Sequence, residues 1–468
     1  MFLQRYYLEC LSHASYMVAD EKTKVAVVID PRRDINIYVE DARAQGFKIQ
    51  HVILTHFHAD FVAGHIELRD RVGAHIYLGA NAKAEFDFIP LGDGSVIELG
   101  GVRLEAMETP GHTPEGITIL AFDNTSDRKN PHAIFTGDTL FLGDVGRPDL
   151  FGSIGVTAHE LAEKLYDSLQ NKIMTLPDNT LVYPAHGAGS MCGKALSDAA
   201  VSTLGEQRRY NYALQPMTKE EFIKMVTADQ PEAPAYFGYD ATLNQQERPN
   251  LDQLMKASME ALTLSAVLAL QKSSAQIVDV REAADFAGAH LRGALNIGIE
   301  GRFATWAGTL LNKDVPIVII AEGHRVEEAI MRLGRIGFHN VKGYLKDGMA
   351  SLKERTDLIA KTQRISAAGI EELEDETTLV DIRNENEWKS GHIEGSLNIP
   401  LNHLADRIAE VPVSGQVLVH CQGGYRSMIA ASLLEKEGRS NIYDLVGGYQ
   451  AWVTMKRPIT ISIQPIEG

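Results

Sequence analysis

Three cysteines in 468 residues, Cys10, Cys192 and Cys421, are too few and too odd in number for a disulfide framework. Such a count suits a reducing compartment. Positive charge is short as well. Against 62 Asp and Glu stand 45 Lys and Arg, a formal net charge of −17, and a surface of that sign disfavours nucleic acid and anionic lipid. An anionic substrate then needs local help from a metal ion, an arginine or a helix N-terminus. Long hydrophobic runs are missing too: no stretch of about 18 uncharged apolar residues occurs, which argues against a membrane-spanning helix. Arg5 and Glu9 interrupt the N-terminus where a signal peptide needs its apolar segment. The expected location is the cytoplasm. What remains is ordinary globular composition, 44% apolar and 23% charged. Because single hydrophobic cores stop growing at roughly 250–300 residues, several domains are expected.

The first 250 residues mix short β-rich runs with glycine turns. Val25–Ile29 reads as a buried strand ending at Asp30-Pro31. His51–Thr55 reads as another, delivering a histidine cluster at its C-terminal end, and Leu181–Tyr183 precedes Pro184-Ala-His186 in the same way. Polar residues just past strand ends are where α/β folds place chemistry. A polar, proline-containing stretch from Gln230 to Asn250 reads as a linker or as packing between domains.

The remainder contains an internal repeat. Ile277-Val-Asp279-Val-Arg281 matches Leu379-Val-Asp381-Ile-Arg383, and His290-Leu-Arg-Gly293 matches His392-Ile-Glu-Gly395, both at an offset of 102 residues. Each copy has a later apolar strand, Pro316–Ile320 or Gln416–Val419, that leads through a Gly-containing turn into a helix, read in the second copy as Met428–Lys436. The division this suggests is 1–250, 258–362 and 365–468.

His56-x-His58-x-Asp60 puts three metal-ligand types within five residues. Three more lie in Gly- and Pro-rich turns: His112 in Thr109-Pro-Gly-His112, Asp138 in Phe135-Thr-Gly-Asp138, and His186 in Tyr183-Pro-Ala-His186. These motifs resemble the metallo-β-lactamase fold over roughly residues 1–245, which implies an αββα sandwich with the site at one edge. Dinuclear members of that fold use the residue after the Asp as a second-metal ligand, normally His. Here it is Phe61, which cannot coordinate, and Asp60 with His186 alone make a poor second site. A mononuclear centre is therefore expected, with His56, His112 and Asp138 as ligands. Two imidazoles and a carboxylate with open positions suit non-haem Fe(II), though zinc accepts the same atoms. The persulfide dioxygenase branch, which the chain resembles, implies one Fe(II) per chain, with His58, Asp60, Tyr183 and His186 supporting the ligands. In that branch a Gly-Arg-x-Asp run, here Gly146-Arg147-Pro-Asp149, lies near the organic part of the substrate. Arg147 is then either a substrate clamp or a structural partner of Asp149. Cys192 is either a sulfur or redox relay or a small buried hydrophobe. His13, His51, His65, His75 and Cys10 read as structural.

In the second repeat, the strand ending at His420 runs into Cys421-Gln-Gly-Gly-Tyr-Arg426 and a helix. A cysteine at such a turn faces backbone N–H groups and the positive helix end, both of which favour the thiolate. Arg426 can pair with an anion above the sulfur. Phosphatases use a related Cys-x5-Arg cradle, whereas the spacing here is Cys-x4-Arg. With Asp381-Ile-Arg383, His392-x-x-Gly395 and Gly447-Gly-Tyr449-x-x-Trp452, the unit resembles the rhodanese family over about residues 365–460. The resemblance implies a persulfide carried on Cys421, with Arg426 assisting and Gln422, Gly423, Gly424 and Tyr425 as substrate contacts. The first repeat reads Ala321-Glu322-Gly323-His324-Arg325 at the same place. It has no cysteine, is one residue shorter and carries a carboxylate that repels anions, so it is expected to be silent.

The fold class expected is thus α/β: an N-terminal αββα sandwich followed by two rhodanese-like domains. Three functions fit. The first is a bifunctional sulfur-oxidising enzyme, in which iron and O2 convert a low-molecular-weight persulfide to sulfite and thiol while Cys421 interconverts persulfide plus sulfite with thiosulfate. A glyoxalase-II-like thioester hydrolase with a rhodanese tail comes second, and a sulfur carrier or sensor third. Persulfide, O2, and sulfite or thiosulfate are the expected small-molecule partners, and a homo-oligomer the expected assembly.

Overall fold

In the computed structural model, residues 1–461 are described except 151–154, 195, 229, 231, 374 and 375. The chain divides into two units, Met1–Leu254 with Gly334–Gly337, and Met255–Leu333 with Phe338 onward.

The first unit is built on two six-stranded sheets. One runs in sequence order through β1 (Phe2–Leu8), β2 (His13–Ala19), β3 (Val25–Ile29), β4 (Lys48–Ile53), β5 (His75–Gly79) and β6 (Ile89–Leu91). The other comprises β7 (Val96–Glu98), β8 (Val102–Glu108), β9 (Ile117–Asp123), β10 (Ala133–Gly137), β11 (Leu181–Pro184) and β12 (Ser202–Thr203), in the order β12-β11-β10-β9-β8-β7. The period-2 alternation of a strand explains why the central strands are apolar throughout. On β2, Ala14, Tyr16 and Val18 face the core between the sheets, while Met17 and Ala19 join a core that includes Tyr38 and Ala42 of the helix Asn36–Gln45. On β9, Ile117, Ile119 and Ala121 point between the sheets, and Leu120 and Phe122 pack with Ala162, Leu165 and Leu169 of the helix Ala158–Asn171. Two apolar layers outside and one between the sheets give helix, sheet, sheet, helix, as the sequence motifs implied.

The strand expected at His51–Thr55 begins at Lys48 and stops at Ile53. Beyond it Thr55 leaves the ladder, because its N–H and hydroxyl both donate to the Asp30 carboxylate at 2.8 Å.

In the second unit the two repeats share one topology. The first comprises β13 (Ala261–Leu262), β14 (Gln276–Asp279), β15 (His290–Leu291), β16 (Leu295–Asn296), β17 (Ile317–Ile320), β18 (Val341–Leu345) and β19 (Ile359–Ala360). The second comprises β20 (Gln363–Ser366), β21 (Thr378–Asp381), β22 (His392–Ile393), β23 (Leu397–Asn398), β24 (Val417–His420), β25 (Ile442–Val446) and β26 (Ile459–Thr460). The sheet orders are β13-β18-β17-β14-β16 and β20-β25-β24-β21-β23, all parallel, each with a two-stranded ribbon, β15-β19 or β22-β26. Equivalent strands occupy equivalent places, as the sequence repeat requires. The helix after Cys421 begins at Tyr425, three residues before the expected start, on a Gly424 N-cap with φ of 101°. Among the described residues no helix is long and apolar enough to cross a membrane.

Candidate metal centre and sulfur-transfer loop

Strand ends bring the sequence motifs of the first unit to one buried point. His56, His112 and Asp138 each offer a ligand atom, all within 4.8 Å of one another. Asp138 Oδ2 lies 3.4 Å from His112 Nε2 and 3.8 Å from His56 Nε2. The ligand atoms are aimed by their neighbours. His112 Nδ1 is bonded to the Arg147 carbonyl at 2.8 Å, and His56 Nδ1 meets the Thr55 hydroxyl at 3.0 Å, so both Nε2 atoms turn inward. Asp138 Oδ1 accepts from His186 Nδ1 at 2.8 Å. Asp138 Oδ2 is buried with no hydrogen-bond partner, a costly state for a carboxylate oxygen unless a cation faces it. The donor set therefore fits a bound metal ion. Burial raises the Asp138 carboxyl, but His186, His56 and His112 outweigh it and hold the group well below the usual carboxylate range. Burial pulls His186 down, yet its two carboxylate neighbours, Asp138 and Asp60, hold it above the ordinary imidazole value. Gly146 is needed here, since any Cβ would overlap the Asp138 carbonyl.

A second cluster lies beside the first. Ligand atoms of His58, Asp60 and His186 are also mutually within 4.8 Å, so His58 joins the two residues expected to make a poor site on their own. His58 Nε2 faces Asp30 at 3.1 Å, and His186 Nε2 faces Asp60 at 3.0 Å. The Phe61 ring fills the adjoining space, 4.4 Å from His58 and 4.1 Å from His13 between ring centroids. His13, read from sequence as structural, is fully buried beside these side chains, with no hydrogen-bond partner for either ring nitrogen.

Several supports escaped sequence reading. Asp30 is one, reaching Thr55 and His58 from a left-handed φ of 51°. Glu115 accepts from the Phe57 N–H at 3.0 Å. The stretch Gln230–Asn250, expected to link or pack between domains, lies in this unit. Its Asn244 amide donates to the carbonyls of His58 and Phe61 and accepts from Ala63 N, all at 2.8 Å, and so pins the metal loop. A lone Asn in a polar stretch carries no pattern that announces this.

Arg147 is 2% exposed. It holds Asp149 in a bidentate pair at 2.6 and 2.7 Å and donates to the Met191 carbonyl. Of the two readings, the geometry favours the structural one: its carbonyl orients His112 while its guanidinium is enclosed. Cys192 sits with Asp138 and His186, its sulfur within 4.8 Å of their ligand atoms. Burial pushes its thiol up, and Asp60 and Asp138 push further. Tyr183 faces the inter-sheet core, stacked on Phe135.

In the second unit Cys421 is buried at the end of β24. Its sulfur accepts the Gly424 N–H at 3.1 Å and lies 3.6 Å from the Ser427 hydroxyl, which donates to Asp444 at 2.5 Å. Gln422 and Gly423 are exposed at the mouth of the loop. Tyr425, expected as a substrate contact, packs on the first repeat: its hydroxyl donates to the Gly298 carbonyl at 2.7 Å, and its ring fills the space a Cβ on Gly301 would need. In the first repeat Ala321 stands where Cys421 does, after β17, and Arg325 pairs with Glu300 and Glu328.

The sequence profile of the metallo-beta-lactamase superfamily matches residues 8–186, and that of the rhodanese-like domain matches 263–355 and 367–455. The mitochondrial persulfide dioxygenase ETHE1 of Mus musculus is 33% identical over 218 residues, 45% of this chain and 75% of that protein. The chain belongs to the metallo-beta-lactamase superfamily. It carries two rhodanese-like domains in tandem behind that fold, and its superfamily relatives include persulfide dioxygenases. A metallo-beta-lactamase of known structure from Staphylococcus aureus subsp. aureus COL is 32% identical with a TM-score of 0.65, covering 74% of this chain and 98% of its own. A hydroxyacylglutathione hydrolase of Dictyostelium discoideum is 32% identical over 37% of this chain and 61% of its own length.

Proposed function

We propose that the chain is a bifunctional sulfur-oxidising enzyme, a mononuclear Fe(II) persulfide dioxygenase joined to a Cys421 sulfurtransferase. The observation that carries the first activity is the convergence of His56, His112 and Asp138 on one buried point, with Phe61 in the position where dinuclear members of the fold supply a ligand. Iron, when bound, would supply O2 activation and an attachment point for a persulfide's terminal sulfur. One persulfide, one O2 and one water balance to one sulfite and one thiol. The protein's part is to hold both imidazole Nε2 atoms unprotonated through the Arg147 carbonyl and the Thr55 hydroxyl, and to keep the Asp138 carboxylate ionised through His186. Cys192 is buried, and burial raises its thiol, which favours a packing role over a relay.

For the second activity, Cys421 attacks the sulfane sulfur of a donor and the leaving group departs with the electron pair. The Gly424 N–H and the N-terminus of Tyr425–Lys436 support the resulting negative sulfur. With sulfite as acceptor the product is thiosulfate, and the reverse direction uses the same atoms. A cytoplasmic location and a homo-oligomeric assembly are part of this proposal.

The cluster of His58, Asp60 and His186, together with the similarity to a hydroxyacylglutathione hydrolase, supports a second reading: a two-metal thioester hydrolase. Elemental analysis combined with O2 uptake separates the two. About one iron per chain with persulfide-dependent O2 uptake is expected. Two zinc ions per chain, thioester hydrolysis and no O2 uptake would sink the dioxygenase reading.

A further inference from the structure

The loop around Cys421 has two arginines, and carboxylates already hold both. Arg426 donates through Nη1 and Nη2 to the two carboxylate oxygens of Glu387, each at 2.7 Å. Arg383 is bidentate on Asp381, donates to the Gly391 carbonyl, stacks on the Tyr449 ring at 4.0 Å and reaches Gln422 Oε1 at 3.4 Å. Among the described residues, an anion arriving at Cys421 therefore finds both of these arginines already paired, and meets the Gly424 N–H and the start of the helix. Glu387 is held in place from its own side as well. It is the third residue of the helix Glu385–Ser390 and closes a capping box with Asn384, its N–H donating to Asn384 Oδ1 at 2.8 Å and its carboxylate accepting from Asn384 N at 3.1 Å. The pair is partly exposed, 20% for the Arg426 side chain and 30% for Glu387, so a solute can reach it.

We propose that Glu387 determines donor specificity at this site, because its carboxylate competes with anionic sulfur donors and acceptors for Arg426. The inference rests on the sulfurtransferase reading above. In the transfer from thiosulfate, the Cys421 thiolate attacks the sulfane sulfur, the sulfur–sulfur bond of thiosulfate breaks, and sulfite leaves with the electron pair. No oxidant or reductant is consumed. The dianion gains the Arg426 guanidinium only by displacing Glu387, so inorganic dianions are admitted at a penalty. Glu387 does not touch the reacting atoms; it sets which anion Arg426 can hold.

Glu387→Gln tests this in the full-length protein. Glutamine at the third helical position keeps the capping box while removing the negative charge that is paired with Arg426. In a partly exposed site that charge is worth about five- to tenfold in anion affinity. The KM for thiosulfate should fall by about that factor. A second measurement does not depend on turnover: alkylation of Cys421 by iodoacetate relative to neutral iodoacetamide, read at that residue by mass spectrometry, should rise by a similar factor in the variant. An unchanged ratio and unchanged KM would overturn the proposal. So would a higher KM, which would make Glu387 a residue that positions Arg426 for the anion. If the wild-type protein transfers no sulfur from thiosulfate or from a persulfide, the sulfurtransferase reading fails, and the alkylation ratio still decides whether Glu387 screens Arg426.

Discussion

At the scale of single residues, the metal centre depends on groups that aim the ligands as much as on the ligands. His112 shows both. Its Nε2 points at the site because Nδ1 is tied to the Arg147 carbonyl, so His112→Ala removes a ligand without touching the Cys421 loop. We expect that variant to lose bound iron and O2 uptake and to keep sulfur transfer, checked by elemental analysis and by cyanide- or sulfite-dependent transfer assays. Asn244 makes a different case. Its amide satisfies the carbonyls of His58 and Phe61 and the N–H of Ala63, and an unsatisfied buried polar group costs about 1–3 kcal/mol. Asn244→Ala should lower the stability of the first unit by about that amount per group left unpaired, up to what water can recover, and should loosen metal binding. Thermal denaturation with and without added Fe(II) measures both. Glu387 carries a pH signature. Burial raises its carboxyl, but Arg426 prevails and holds it below the ordinary value of 4.5. A carboxyl lowered on folding stabilises the protein above its unfolded value, and that contribution disappears as pH falls through the folded one. The stability difference between wild type and Glu387→Gln should therefore be constant near neutrality and shrink on acidification below about 4.5, a trend that chemical denaturation at several pH values would reveal.

At the scale of elements, the helix Tyr425–Lys436 is buried from Ser427 to Leu434, which a helix achieves only between two packed layers. One layer is its own sheet. The other includes the first repeat: Ser432 Oγ accepts from Asn296 N at 3.0 Å, and His290 faces Glu435 at 3.4 Å. The first repeat, which has Ala321 where the second has Cys421, thus forms part of the support of the Cys421 loop. At Gly301 the packing is close, because a Cβ there would overlap the Tyr425 ring. Overpacking of this kind costs roughly 1–3 kcal/mol. Gly301→Ala should lower the rate of sulfur transfer through displacement of Tyr425 and should leave O2 uptake near the wild-type value. Equal loss of both activities would show that Gly301 matters to folding in general.

At the scale of the whole molecule, a covalent link raises the effective concentration of an intermediate shared by two sites. Cys421→Ser should leave O2 uptake intact and make sulfite, rather than thiosulfate, the product of persulfide oxidation, as ion chromatography would show. Loss of O2 uptake in that variant would mean that the two activities are not independent.

The sequence by itself determined the strand-end motifs, the tandem repeat and the α/β architecture, because short-range patterns encode them: alternating apolar strands, glycine turns, and ligand types a few residues apart. It also singled out Phe61 and the missing cysteine of the first repeat, each a departure inside an otherwise complete motif. Tertiary structure alone decided the rest. Asp30 meets Thr55 across 25 residues, Asn244 meets His58 across 186, and Arg426 meets Glu387 across 39. None of these pairs has a local pattern. A buried polar atom must find a partner wherever the chain passes, and which residue passes there is a property of the packed fold. The same reason turned Arg147 toward Asp149 and Tyr425 toward Gly298. For Phe61, packing added a fact that composition does not contain: the ring that cannot bind a metal fills the space beside His58 and His13, next to the buried residues that could.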